Sequence, residues 1–242
     1  FLVWLTGTLA PVWAFFGTDL PKGHRPEFHA IRTLLVADAW RSGAEIIPRW
    51  SPELCYGLGS PLFTYYGWFS YAVAAAVKLV TGASAVAATH AGMILFALVQ
   101  GAGAWMLGRE LGGRRGAWIA WSLYTVAPYI LVNLYVRNHF AEYAAGALAP
   151  WALCFMIRAV RGRRSADIMG AAGAMALLIF THNLTAFMIN PLVVLIGTVL
   201  AVTRPPGRRL TAAGRLGLVL LFALLLSAHF WVPLVIRHGD AQ

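Results

Sequence analysis

Acidic residues are scarce in this chain, nine against nineteen Lys and Arg, and charged residues of both signs make up only 12% of its 242 positions. Soluble domains average about 25% charged residues, so this shortage excludes an ordinary soluble globule. Cysteine is scarcer still. Cys55 and Cys154 stand far apart, which excludes a disulfide framework and a cysteine-based metal centre. No HExxH pattern, internal repeat or low-complexity tract occurs. The net charge of +10 does not argue for nucleic acid. Most of it lies in short loops between hydrophobic runs, where positive charge marks membrane orientation.

What is present in quantity is apolar sequence. Hydrophobic residues reach 60% and mean hydropathy is +0.68, and about 20 mostly apolar residues suffice to cross a bilayer. Runs of this kind occupy Phe1–Phe16, Pro61–Val80, Ser84–Leu107, Gly116–Leu134, Ala141–Ile157, Ile168–Thr181, Leu184–Val202 and Leu216–Ile236. Phe1–Phe16 lacks a small-residue cleavage pattern, so it reads as a span rather than a cleaved leader. The abrupt ends at Phe1 and Gln242 suggest a piece of a longer chain forming one transmembrane domain, 1–242.

Three connecting loops are basic: Arg109, Arg114 and Arg115; Arg158, Arg161, Arg163 and Arg164; Arg204, Arg208, Arg209 and Arg215. Two spans separate each loop from the next, so all three face one side, and their arginines make that side cytoplasmic. By parity the loop Tyr135–Glu142, the turn Thr181–Thr185 and the tail from Arg237 are external.

One long polar stretch, Gly17–Ser60, interrupts the apolar pattern with five acids, five basic residues and two histidines. Its side depends on Pro61–Val80. A spanning segment puts the loop inside, whereas an interfacial helix puts it outside, and the aromatic start with Lys78 near the end suits both. Within the stretch, Phe28, Ile31, Leu34, Leu35 and Ala39 recur at helical spacing over Glu27–Arg41. Pro26 suits the start and Gly43 the end of an amphipathic helix lying on the membrane.

Three constellations carry chemistry. Asp19, His24, Glu27, His29 and Arg32 combine carboxylates and imidazoles suited to acid–base work; the plainer alternative is a solvated loop with Glu27 favouring the helix dipole. His24 and His29 around Glu27 are a weak metal pattern, and no metal site is expected. Arg137, His139 and Glu142 follow in one short loop. There a guanidinium fork suits phosphate or carboxylate, and a structural Arg137–Glu142 pair is the alternative. His182 and Asn183 join two spans, where they also suit helix caps.

The order GH-x-x-x-FH-x-x-R, PRW-x-P, YGLGSPLFTYY, APY…LYVRNHFAE and THNLT, closing on Phe230-Trp231-Val232-Pro233, resembles a family of polytopic bacterial membrane proteins. That family is described as related to 6-pyruvoyl-tetrahydropterin synthase and is similar to the GT-C glycosyltransferase superfamily; nothing in these residues points to pterin chemistry. The resemblance runs from about Gly17 to Gln242. It implies an all-α bundle of seven spans in the bacterial cytoplasmic membrane, with 17–80 as an external loop carrying interfacial helices. The implied function is transfer of a sugar from a polyprenyl-phosphate donor at the outer face. Asp19, Glu27 and Glu142 are then candidate catalytic acids. His24, His29, Arg32, Arg137, His139, His182 and Asn183 are candidate substrate-binding residues. The implied partners are a lipid-linked sugar, membrane lipids and protein partners in a membrane complex, with no nucleic acid; the cofactor is left open. One departure stands out. The family pattern has an acid directly after Gly-His, where this chain has Arg25. The alternative is therefore a non-catalytic relative that binds lipid or protein.

Overall fold

The computed structural model describes residues 1–17, 19, 26–43 and 45–236, with the side chain of Leu234 left aside. The candidate His24 and the departing residue Arg25 lie outside the described residues. Of the described residues 81% are helical, and none of them forms a strand. The order is α1 (Leu2–Leu9) running into a 3-10 segment (Ala10–Phe16), α2 (Glu27–Arg41), α3 (Leu62–Tyr65), α4 (Phe69–Thr81), α5 (Ala85–Thr125), α6 (Pro128–Tyr135), α7 (Phe140–Arg161), α8 (Ala166–Thr181), α9 (Asn183–Val202) and α10 (Pro206–Ile236).

Four helical stretches are long and apolar enough to cross a membrane: Ala85–Tyr135, Phe140–Arg161, Asn183–Val202 and Pro206–Pro233. Leu2–Phe16, Phe69–Thr81 and Ala166–Thr181 are apolar but shorter. The first stretch is not one rod. At Gly112 and Gly113 the backbone leaves helical geometry, with Gly113 at φ 63°, a value glycine adopts without steric cost. The chain then folds back on itself. Trp105 meets Trp118 edge-on at 4.7 Å, Gln100 Nε2 donates to the Tyr124 carbonyl at 3.3 Å, and Gly108 lies against the Gly116 backbone. These pairings run in opposite directions, so α5 is an antiparallel hairpin with the basic residues Arg114 and Arg115 at its tip. Ser84–Leu107 and Gly116–Leu134, read as separate apolar runs, are its two arms, the second interrupted where Pro128 opens α6.

α7 is the central post, packed by α5, α8, α9 and α10. Ala141, Ala144, Ala145, Ala147, Ala152 and Ala159 are buried along it, and small residues let neighbouring helix backbones approach closely where lipid supplies no hydrophobic drive. α9 and α10 do the opposite. Leu184, Phe187, Leu195 and Val199, then Leu221, Leu224 and Leu225, point outward, an apolar exterior that only a membrane makes favourable.

α2 has the expected limits, but its packing face is a finding. Phe28, Ile31 and Leu34 of the apolar stripe are 36–39% exposed, whereas His29, Thr33, Val36 and Ala37 are buried. These three residues of the stripe face away from the bundle while Leu35 packs against it, and the docking face makes its contact through Val36, Ala37 and a Thr33–Thr89 hydroxyl bond of 2.9 Å.

The three basic loops meet at one end. Glu110 Oε1 takes Arg161 at 2.9 Å and Arg163 at 3.2 Å, and Asp167 pairs with Arg158 at 3.1 Å. Arg204 donates to the Arg161 carbonyl at 2.7 Å, and Arg215 to the carbonyls of Ala159 and Arg164. These cations close the carbonyls left open at the C-terminal end of α7. The other end of α7, 22 residues away or about 33 Å along the helix, carries the candidate site.

Candidate functional site at the histidine end of the bundle

The site begins with the turn between α6 and α7. Asn138 sits at φ 46°, a left-handed conformation that asparagine tolerates better than most side chains. Its Nδ2 donates to the Leu134 carbonyl at 3.2 Å, and the His139 amide donates to the Asn133 carbonyl at 2.9 Å. This tight reversal puts Arg137 and His139 on either side of Glu142, which lies in the first turn of α7, where the helix dipole favours a negative charge.

Glu142 is only 6% exposed. Its Oε1 accepts Arg137 Nη1 at 2.7 Å and the Tyr129 hydroxyl. The same Arg137 nitrogen reaches Asn133 Oδ1 at 3.2 Å. The hydrogen bond to Glu142 raises the Arg137 pKa further above its ordinary value. Glu142 Oε2 lies 3.9 Å from His139 Nδ1, beyond hydrogen-bond range.

His182 enters from the α8–α9 turn, in extended geometry at φ −157° and ψ 102°. Its Nδ1 is 2.7 Å from Thr185 Oγ1 and accepts the Thr185 amide at 3.3 Å, so it caps α9 as the sequence suggested. The turn is held from outside by the α3–α4 segment. Asn183 Nδ2 donates to the Tyr65 carbonyl at 3.0 Å, and Gly67 lies so close to the Thr181 carbonyl that no Cβ fits between them. The His139 and His182 rings are 5.2 Å apart, and His29 is 5.7 Å from His139.

α2 supplies His29 and Arg32 one turn apart. His29 Nδ1 is 2.9 Å from the Tyr71 hydroxyl, which also accepts Arg32 Nη1 at 3.0 Å. The guanidinium lies 4.3 Å over the Tyr66 ring, in cation–π range. Burial lowers the His29 pKa to about 3, helped by the nearby charges of Arg32 and His139. It lowers His182 to about 4, with His139 adding to the effect. His139 is lowered too, by burial first, with Glu142 opposing and Arg137 assisting. Near neutral pH the three imidazoles are uncharged and keep a lone pair for a proton, a ligand or a metal.

The fold thus brings His29, Arg32, Arg137, His139, Glu142, His182 and Asn183 to one end of the bundle. It does not bring Asp19 or Glu27 into the cluster: both are exposed, and neither makes a hydrogen bond or ion pair among the described residues. Tyr66, Tyr71, Tyr129 and Asn133 complete the site without having been singled out as site residues. Tyr66 and Tyr129 belong to the FTYY and APY segments noted in the sequence, and that was the available signal. Asn133 and Tyr71 lie within apolar runs, and nothing local marked them.

Residues 63–242 match the family of 6-pyruvoyl-tetrahydropterin synthase related domains, described as membrane proteins. The chain belongs to this family, and its location in a membrane follows from the family and from the apolar helices. No curated protein and no solved structure matches the chain.

Proposed function

We propose that this chain is the membrane module of a GT-C-type glycosyltransferase that takes a sugar from a polyprenyl-phosphate donor at the outer face of the bacterial inner membrane. The observation that carries this reading is the buried Glu142 at the membrane edge, ringed by Arg137, His139 and His182, with Arg32 and His29 behind. Ionisable groups at such a depth are costly and mark function by default. Two arginines against one carboxylate leave cationic capacity for a phosphate, which the guanidinium fork pairs with well. An apolar groove of 530 Å³ opens beside Asn183, lined by Ile179, Leu184, Phe187, Phe230 and Trp231, and suits a prenyl tail.

Counting the two arms of α5 separately, with α7, α9, α10 and the shorter apolar helices Leu2–Phe16 and Ala166–Thr181, the reading uses seven spans, with α4 interfacial and 17–80 external. Single cysteines at Glu45 and Arg114, in a Cys55→Ser background, test the orientation: an impermeant thiol reagent from outside modifies position 45 and spares 114. The opposite result reverses the topology and removes the outer-face assignment. For activity, Glu142→Gln abolishes sugar transfer from polyprenyl phosphate while the protein stays folded. Transfer unchanged in a Glu142→Gln, Asp19→Asn, Glu27→Gln triple variant rules this site out.

A second reading, a non-catalytic subunit that binds an anionic lipid or a protein partner, is favoured by one observation. Glu142 Oε1 is already engaged by Arg137 and Tyr129, and Asp19 and Glu27 stand outside the cluster. Purified protein that retains bound anionic lipid through Arg137 but turns over no lipid-linked sugar, and copurifies with a fixed partner, decides for this reading.

A further inference from the structure

Two side chains at the histidine end, Glu142 and His182, each have one ligand atom engaged by the protein and another left over, and a third, His139, has a buried ring nitrogen with no hydrogen-bond partner among the described residues. Glu142 Oε1 is held by Arg137 and Tyr129, which leaves Oε2. His182 Nδ1 is held by Thr185, which leaves Nε2. His139 Nδ1 is buried and has no hydrogen-bond partner. The three residues offer ligand atoms within 4.8 Å of one another. An unpaired buried polar atom such as His139 Nδ1 is costly, and engagement of the second atom of Glu142 and of His182 is the outer-shell arrangement that orients metal ligands. His29 is not a fourth member, since its Nδ1 meets Tyr71 and it also bonds the Asn138 backbone.

We propose that His139, Glu142 and His182 form a binding site for one zinc-class divalent ion. Two imidazoles and a carboxylate are a donor set of catalytic zinc sites, which take three protein ligands and keep the fourth position open. Magnesium and calcium prefer all-oxygen shells. Tetrahedral bonds of 2.0–2.1 Å place ligand atoms ~3.4 Å apart, so the present arrangement closes on an ion with movements of about 1 Å, and the half-exposed His139 ring is free to supply them. A divalent ion beside Glu142 and Arg137 leaves excess positive charge, which an anionic oxygen in the open position offsets. A phosphate or carboxylate ligand is the matching chemistry. The inference does not rest on sugar transfer.

The test uses the whole chain, purified through a tag without histidine, stripped with chelator and titrated with Zn²⁺ against a chromophoric competitor. The expected result is one Zn²⁺ per chain, excess Mg²⁺ without effect, and Co²⁺ producing the visible absorption of a tetrahedral site. His139→Ala, Glu142→Gln and His182→Ala each weaken binding by about 100-fold or more, at or above the upper end of outer-shell losses, whereas His229→Ala leaves it unchanged. The Co²⁺ spectrum is read on the unmodified chain, so the test survives a variant that fails to fold. Folded wild-type protein that takes up no stoichiometric Zn²⁺, or a His139→Ala, Glu142→Gln double variant that binds Zn²⁺ as tightly as wild type, overturns the proposal.

Discussion

The two ends of α7 use similar residues to opposite effect. At the arginine end, Glu110 and Asp167 are each met by arginine, and further guanidiniums close on backbone carbonyls of the α7 terminus and its loop. Charge is matched there and the terminal carbonyls are covered, which is what a helix terminus needs to be stable, although Arg158 Nε, 3.1 Å from Asp167, makes an ion pair without a hydrogen bond. At the histidine end, one carboxylate is paired with Arg137 beside neutral imidazoles, Arg32 is held by Tyr71, and among the described residues His139 Nδ1 is left without a partner. Buried polar groups are normally satisfied. The surplus at one end and the closure at the other separate a site built to receive something from one built to hold the bundle together.

The sharpest way to break the comparison is to disturb the backbone under each end. A Cβ at Gly67 collides with the Thr181 carbonyl, and one at Gly108 with the Gly116 carbonyl. Gly67→Ala and Gly108→Ala are each expected to cost about 3 kcal/mol, the upper range for overpacking, seen as a lower unfolding temperature in detergent. Only Gly67→Ala, which displaces His182, changes the Co²⁺ spectrum of the protein that remains folded. Equal spectral changes in both variants would dissolve the distinction between the ends.

Exchanging the acids comes next. Asp167 is 3% exposed and pairs with Arg158, so Asp167→Asn costs about 3 kcal/mol by leaving a buried charge unpaired, with no loss of lipid or metal binding. Glu142→Gln costs less, about 1 kcal/mol, because Arg137 is 42% exposed and turns to water, yet it removes the site's activity. Unfolding curves of the two variants beside their binding data check both halves.

A smaller effect separates the ends by pH. His29 is 4% exposed, with a folded pKa of about 3 against an ordinary 6.5. The unfolded chain takes up the proton first, so this contribution to stability is whole above pH 6.5 and is lost progressively as pH falls toward 3. Between pH 6.5 and 5.5 the loss is about 1 kcal/mol. Arginines do not titrate in this range. Chelator-treated protein therefore unfolds more easily at pH 5.5 than at 7.5, and His29→Asn removes its share of that slope, the rest coming from His139 and His182. The smallest changes belong to Asp19→Asn and Glu27→Gln, each within about 0.5 kcal/mol as exposed substitutions. A loss of sugar transfer in either, with stability intact, would return the catalytic base to the first loop.

Some of this was legible in the residues. The limits of α2 followed from Pro26, Gly43 and a stripe at helical spacing, and the helix ends where that pattern ends. The arginine loops announced a common end because two spans separate each from the next. Arg137 and Glu142 are five positions apart across a turn, so their pairing was within reach of local geometry. The outward orientation of Phe28, Ile31 and Leu34 on α2 was not, since periodicity identifies a face and not what covers it.

What the sequence by itself determined is whatever depends on near neighbours and on partition into lipid: helical runs, their breaks at glycine and proline, the basic loops, and the residue types able to do chemistry. Only the tertiary structure decided that His29, His139 and His182 share one cluster and that Asn183 docks on Tyr65. Those contacts join residues far apart in the chain. They are selected by close packing of small side chains around α7 and by the need to satisfy buried polar groups, neither of which leaves a periodic trace in the sequence.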